Sequence, residues 1–239
     1  MKSFNRIRRL NQIVGDIIKQ RNLSSVIVAD IATDHGYLAE LLSRNESVLK
    51  VVATDISQKC LDKTNELKQR CNLDKIETKL GDGLDPVEFA DLAVMAGIGG
   101  YEIIKIISHQ NIDKNGEKKC KLFVLQPSKN AVELRHFLID ENVKIVLDFI
   151  VFSGGRFYPI IVVDLAQDCD TEKSIFNLYF GRDNTLENID FLRFLRRQVD
   201  DLKFLENMEK TTINDSYELK TKFEILQLAK NLLNKSKGD

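Results

Sequence analysis

Two carboxylates, Asp30 and Asp34, close off the short stretch Asp30-Ile31-Ala32-Thr33-Asp34-His35-Gly36. An apolar, β-branched run (Val26 to Ala29) leads into it, and apolar-periodic residues (Tyr37, Leu38, Leu41, Leu42) follow. That pattern reads as a buried strand, a tight turn and a helix packed back on the sheet. In open α/β sheets ligands bind at the carboxyl ends of the strands, where this turn stands. A dinucleotide site wants G-x-G-x-x-G there, and this turn offers only Gly36. Its two anions would repel a diphosphate but tolerate a sulfonium, which is cationic near its reactive centre. No G-x-x-x-x-G-K-[ST] phosphate loop occurs in the chain. The turn therefore implies an S-adenosylmethionine site, the alternative being an ordinary turn whose Asp residues cap a helix.

Three later strand ends carry similar chemistry. Asp55 closes the run Leu49 to Thr54 and lies 25 residues beyond Asp30, where nucleoside-binding α/β folds set a carboxylate on the ribose hydroxyls. Gly81-Asp82-Gly83 follows a third strand, Lys75 to Leu80, and leaves the Asp82 carboxylate free to accept from an adenine amino group. A simple G-D-G turn is the plainer reading. Ala96-Gly97-Ile98-Gly99-Gly100 follows a fourth strand, Asp91 to Ala96, and implies close backbone approach to a ligand or tight helix packing.

The elements that must position these groups are legible from periodicity. Residues 4–22 read as an amphipathic helix, with Leu10, Ile13, Val14, Ile17 and Ile18 on one face. Its other face carries Arg6, Arg8, Arg9, Lys19 and Arg21 against the single acid Asp16, either a solvated face or a polyanion patch beside the cofactor mouth. Ser57 caps a helix to about Cys71, a fifth strand runs Lys121 to Leu125, and Pro127 or Ser128 starts a further helix. Lys144 to Phe152 and Phe157 to Leu165, joined at Ser153-Gly154-Gly155, form a closing antiparallel hairpin. Five β-α units and a terminal hairpin predict an α/β fold, a Rossmann-like sheet of seven strands with the last inserted antiparallel, as in class I S-adenosylmethionine-dependent methyltransferases.

After residue 166 the texture changes. Leu192, Leu195, Val199, Leu202 and Leu205, then Leu219, Phe223, Leu226 and Leu233, repeat at helical spacing around a break at Thr211–Asp215. This predicts a second domain, residues 167–239, built as a helical coiled-coil hairpin, with Asp215 and Glu218 capping its second helix. Only the local cluster Arg193, Arg196, Arg197 and Lys203 could touch phosphates there, and a solvated charged face is its plainer reading.

Composition bounds the function class. The 239 residues carry a net charge of −1, so nucleic-acid contact must come from local patches. Cys60, Cys71, Cys120 and Cys169 include no C-x-x-C pair, and neither a metal site nor a disulfide framework is expected. No apolar run reaches the length of a membrane span and no signal segment is read at the N-terminus, which leads us to expect a cytoplasmic protein without membrane contact.

In order, Asp30-Ile31-Ala32-Thr33-Asp34-His35-Gly36-Tyr37-Leu38, Ala53-Thr54-Asp55-Ile56, Gly81-Asp82-Gly83-Leu84, Ala96-Gly97-Ile98-Gly99-Gly100 and Leu125-Gln126-Pro127 closely resemble the bacterial tRNA (adenine-N1)-methyltransferases that modify adenine 22. The likeness covers roughly residues 5–165, with the C-terminal part alike in architecture only. Ala32 stands where that family usually has glycine, and Ile98 where it usually has methionine. The resemblance implies tRNA as partner and S-adenosylmethionine as cofactor. It would be held by the first turn (Asp30 to Gly36), by Asp55 and Ile56 at the ribose, by Gly81, Asp82 and Gly83 near the adenine, and by Ala96, Gly97, Ile98 and Gly99. Asp34 and His35 are expected at the junction of cofactor and base, unless His35 only orients the turn. Tyr37 or Tyr101 is then available to stack, and Arg6, Arg8 and Arg9 to meet RNA. A monomer is expected, with pairing through the coiled coil left open. Two other readings compete: a methyltransferase of this fold with another target, and a non-catalytic RNA-binding module.

Overall fold

The structure, a computed structural model, describes residues 4–109, 118–214 and 216–236. Helix α1 (Phe4–Gln20) packs the predicted stripe of Leu10, Ile13, Val14, Ile17 and Ile18 onto the sheet. Its end is closed by Asn22 in a left-handed conformation, with Leu23 N donating to Ile18 O at 2.9 Å. Strand β1 (Val26–Ile31), helix α2 (Tyr37–Ser43), strand β2 (Val48–Asp55), helix α3 (Gln58–Cys71) and strand β3 (Ile76–Leu80) complete the first half. The second half runs β4 (Leu92–Ala96), α4 (Gly100–Ser108), β5 (Leu122–Gln126), α5 (Ala131–Asp140), β6 (Val143–Ser153) and β7 (Arg156–Asp168).

These strands form one seven-stranded sheet in the order β3-β2-β1-β4-β5-β7-β6. β7 enters antiparallel between β5 and β6, and the other neighbouring pairs from β3 to β5 are parallel. The expected topology is thus present. Strand order reverses between β1 and β4, so their carboxyl ends splay apart into a crevice. The central strands are buried on both faces: Val28 and Val94 meet α1 and α2, while Ala29 and Met95 meet α4 and α5.

One helix start differs from expectation. α5 begins at Ala131, after Asn130 in a left-handed conformation, and not at Pro127 or Ser128. Residues 128–130 tie two strand-end loops together instead: Ser128 N donates to Ile98 O at 2.8 Å and Gly100 N to Lys129 O at 2.9 Å. A Cβ at Gly100 would stand 2.2 Å from the Asn130 carbonyl oxygen, so that glycine permits the contact of two backbones. Ser57 occupies the cap position of α3, but its side chain makes no cap bond. The Asp55 carboxylate serves the turn by accepting from Ser57 N at 2.9 Å.

The C-terminal part is helical, as expected. A π-helical turn (Phe176–Phe180) precedes α6 (Ile189–Leu202), a 3-10 turn (Lys203–Asn207), α7 (Lys210–Asn214) and α8 (Tyr217–Lys235). Asp215 lies outside the described residues, and Ser216 caps α8 by accepting from Leu219 N. The helices pair around Phe180, Phe191, Leu195, Ile225 and Ala229, an aromatic-rich cluster with Phe176 at its edge.

The attachment of this part to the sheet was not legible in sequence. β6 is an edge strand, and its outward N–H groups need acceptors. Asp183 accepts from Asp148 N at 2.7 Å, Asn184 from Ile150 N at 3.1 Å and Asp190 from Phe152 N at 3.0 Å. Beneath them, Arg135 of α5 forms a two-pronged ion pair with Asp148 of β6 at 2.7 and 2.8 Å and donates to Leu178 O at 3.0 Å. Both side chains are buried.

Candidate active site

A cavity of about 710 Å³ opens at the reversal of strand order. That lies within the roughly 300–1,000 Å³ typical of small-molecule sites. Its floor is the first turn: Asp30, Ala32, Thr33, Asp34 and His35, with Asp55 from β2 and Ala96, Gly97 and Ile98 from β4. Tyr37 and Leu38 of α2, Cys60 of α3, and Arg6, Ile7 and Leu10 of α1 form its walls. Most of the expected cofactor residues are thereby brought together.

The turn is held by hydrogen bonds between strand ends. Thr33 N donates to Thr54 O at 3.0 Å, Thr33 Oγ1 to Asp30 Oδ2 at 2.7 Å, and Asp34 N to Asp55 Oδ2 at 3.1 Å. Gly36 has φ +73°, and a Cβ there would stand 2.7 Å from Cγ2 of Thr64. Only glycine fits that place. Ala32 and Asp34 also have positive φ, +57° and +53°. Asp tolerates this conformation through local hydrogen bonding, whereas alanine carries a strain of about 1–2 kcal/mol. Ala32→Gly, which removes that strain at an entropic cost of about 0.5–1 kcal/mol, is expected to raise stability by up to about 1 kcal/mol. Thermal unfolding should register an increase of about 2–4 °C, and a decrease would refute the strain.

Asp30 is only 3% exposed. Burial pushes its carboxyl up to about 7, with the nearby Asp55 charge adding to the shift and the Thr33 hydroxyl and Ala39 N–H opposing it. A buried acid poised near neutrality, facing a second carboxylate, is a place prepared for a cation.

At the mouth, Asp34 Oδ2 lies 2.6 Å from His35 Nδ1, and Lys63 Nζ lies 3.0 Å from His35 Nε2. An ammonium can only donate, so Nε2 accepts and the ring proton sits on Nδ1, directed at Asp34. Tyr37 stacks parallel to the His35 ring at 5.8 Å. His35 thus orients the Asp34 side chain, where the sequence had left a backbone hydrogen bond open.

Other expected residues lie apart from the cavity. Gly81, Asp82 and Gly83 do not line it: Asp82 pairs with Lys105 at 3.0 Å beside a separate surface depression, and the glycines make room for Pro86 and Ile106. Their turn adjoins the site through Gly81 N, which donates to Asp55 O at 3.1 Å. Ile56 (75% exposed) and Tyr101 (59% exposed) stand outside it, and Gly99 packs against Lys129. Of the basic face, Arg6 alone enters, donating to Gln126 Oε1 and lying over the Tyr158 ring at 5.2 Å. Arg9 lies over Phe149 at 5.4 Å and Arg8 is exposed on the helix surface.

Sequence reasoning missed Ser128, Arg156 and Tyr158, which also line the cavity. Strand alternation puts Arg156 and Tyr158 on the β7 face of Ile160 and Val162, the face that packs on α1. Two polar-ended residues continuing an apolar face past the core were the available signal.

A family model described as a methyltransferase domain matches residues 7–161. The chain belongs to that family. A protein of Mycoplasma pneumoniae ascribed to the tRNA methyltransferases is 34% identical over 163 residues, 66% of this chain and 70% of that protein. The tRNA (adenine(22)-N(1))-methyltransferase of Bacillus subtilis is 26% identical over 144 residues, 59% of each chain. Among solved structures, TrmK of M. capricolum, in complex with S-adenosyl-homocysteine, superposes with a TM-score of 0.76 at 19% identity, covering 95% of this chain and 97% of that one. The likeness to that fold extends through the C-terminal helices, well beyond the methyltransferase domain itself. Among the described residues no group of three or more His, Cys, Asp or Glu side chains is placed to hold a metal ion, and no helix is long and apolar enough to cross a membrane.

Proposed function

We propose that this chain transfers a methyl group from S-adenosylmethionine to N1 of adenine 22 in bacterial tRNA. The observation that carries the reading is the pairing of a cavity floor that holds the buried Asp30 beside the half-buried Asp55 with a carboxylate, Asp34, oriented at the mouth of the same cavity. The residues fit the cofactor: two carboxylates suit its ammonium and hydroxyl groups, and the apolar Ile98 lines the same cavity. S-adenosylmethionine supplies an electrophilic methyl group on a cationic sulfur. The relatedness to a tRNA (adenine(22)-N(1))-methyltransferase supports the choice of target.

N1 lies on the Watson–Crick edge, so the base must leave its stack to reach the cavity. It already carries an in-plane lone pair, and alignment accounts for much of the acceleration. Methylation leaves the ring cationic. Asp34, held by His35, which Lys63 contacts in turn, stabilises that charge or accepts a proton from the N6 amino group, while Tyr37 and Tyr158 offer ring faces to the base. The catalytic domain, read from the sequence as residues 1–166, extends to the end of β7 at Asp168, and the helical domain follows it. The apolar faces of α6 and α8 are engaged with each other, which supports a monomer, and a tRNA substrate supports a cytoplasmic site of action.

Transfer of labelled methyl to unmodified tRNA with adenine at position 22, against the same tRNA with guanine there, tests this. Label on the adenine form alone is expected, and equal label on both would discard the site. Asp34→Asn keeps the left-handed backbone, which asparagine tolerates. It is expected to lower turnover about a hundredfold, with cofactor affinity within about threefold. Unchanged turnover would remove Asp34 from the chemistry.

A further inference from the structure

A second groove, about 560 Å³, lies between the β6–β7 tip and α6. Arg193, Arg196 and Arg197 line one side, and Phe152, Gly155 and Phe157 the other. The arginines stand at i, i+3 and i+4, so one exposed helix face carries all three forks, opposite the face that buries Phe191 and Leu195. Phe152 and Phe157 are a cross-strand pair with rings 4.9 Å apart, and Arg193 lies over Phe152 at 5.6 Å. Arg193 also faces Asp190 at 3.5 Å, Arg197 pairs with Asp201 at 2.9 Å, and Asp200 joins the lining. Arg196 forms no ion pair among the described residues.

The hairpin relates this groove to the cavity. Register pairs Phe152 with Phe157, and the adjacent pair is Val151 with Tyr158. Neighbouring pairs point to opposite faces. The tip therefore presents Phe152 and Phe157 to the groove, and Tyr158 with Arg156 to the cavity. One ribbon of two strands separates them.

Planar guanidinium forks match phosphate oxygens in a two-pronged fashion, and an aromatic face accepts any base by stacking. We propose that this groove holds the backbone of unpaired RNA nucleotides flanking the target adenine, with phosphates on Arg193, Arg196 and Arg197 and a base against Phe157. This rests on the reading of the chain as a tRNA methyltransferase and specifies how it holds the extruded strand. An RNA is favoured over an acidic protein segment because the groove joins forks and ring faces beside a cavity expecting a base.

The test is direct binding of unmodified tRNA, with and without S-adenosylmethionine, by the wild-type chain and by Arg193→Gln/Arg196→Gln/Arg197→Gln at several salt concentrations. Loss of three phosphate contacts is expected to weaken binding about 10- to 30-fold near physiological salt and to flatten the slope of log affinity against log salt by about 2. KM for tRNA should rise by a similar factor, with turnover at saturating tRNA and cofactor affinity unchanged. Arg196→Glu alone, which breaks no ion pair, should weaken binding at least as much per site and guards against misfolding of the triple variant. Wild-type affinity and slope in both variants would overturn the proposal and leave the groove to another partner. Failure of the wild-type chain to bind or methylate tRNA would instead overturn the reading on which the proposal rests.

Discussion

Asp30→Asn is expected to weaken S-adenosylmethionine binding about a hundredfold while making the free protein more stable above neutral pH. The carboxyl sits buried with its proton affinity raised to about 7, against about 3.9 in an unfolded chain. The folded state thus binds this proton more tightly than the unfolded state. The stability it contributes is fully present below pH ~4, declines as pH rises towards 7, and is lost above. Over that window the loss amounts to up to about 4 kcal/mol. Asparagine removes the titration, still accepts from the Thr33 hydroxyl, and carries no charge to desolvate. Chemical denaturation from pH 5 to 8.5 should show a decline in the wild-type chain and a flatter profile in the variant. Binding has the opposite dependence. A cationic ligand prefers the ionised carboxylate, so affinity should fall by up to about tenfold per unit below pH 7 and binding should release a proton near neutrality. Removing the negative charge forfeits a charge-assisted contact of about 2–3 kcal/mol. Calorimetry in buffers of different ionisation enthalpy measures both. A variant that binds like the wild type at every pH would take Asp30 out of the cofactor site.

Arg135→Met is expected to destabilise the fold by about 3–5 kcal/mol. The guanidinium satisfies both oxygens of Asp148 and the Leu178 carbonyl, all buried. Its removal leaves an anion stranded beside Gly181, where even a Cβ would come within 2.7 Å of Asp148 Oδ1. The same pair joins α5, β6 and the π-helical turn, so the loss should loosen the C-terminal helices first. Hydrogen exchange should quicken at residues 148–152 and 176–191 before the parallel strands respond. Asp148→Asn in the Arg135→Met background should recover about half the loss, because the stranded charge is the larger part of the penalty. Equal stability of the single and double variants would show that packing, and not charge, sets the value of this contact.

Much of this protein follows from groups close together in the chain. The strand–turn–helix at Val26 to Leu38 needs only a β-branched run, small polar residues and a glycine in the left-handed region. Its paired acids, together with the lack of a phosphate loop, select the class of cofactor. The apolar stripe of α1 and the glycine-bearing β6–β7 tip are likewise local, and so a seven-stranded sheet with its last strand inserted antiparallel could be read from the succession of elements.

Tertiary structure decided what depends on distance along the chain. Asp82 was chosen from its glycine turn, but Lys105, one helix away, engages it outside the cavity. Tyr158 and Arg156 entered the site because an antiparallel strand inserted next to β5 carries them beside α1, more than 130 residues earlier in sequence. Asp183, Asn184 and Asp190 look like ordinary loop and helix-start residues until β6 is placed at the sheet edge and its N–H groups require partners. Local periodicity determines which elements form and which ends carry chemistry. Which side chains share one cavity is settled by long-range packing, since burial, pairing and charge compensation act between residues that only the folded chain makes neighbours.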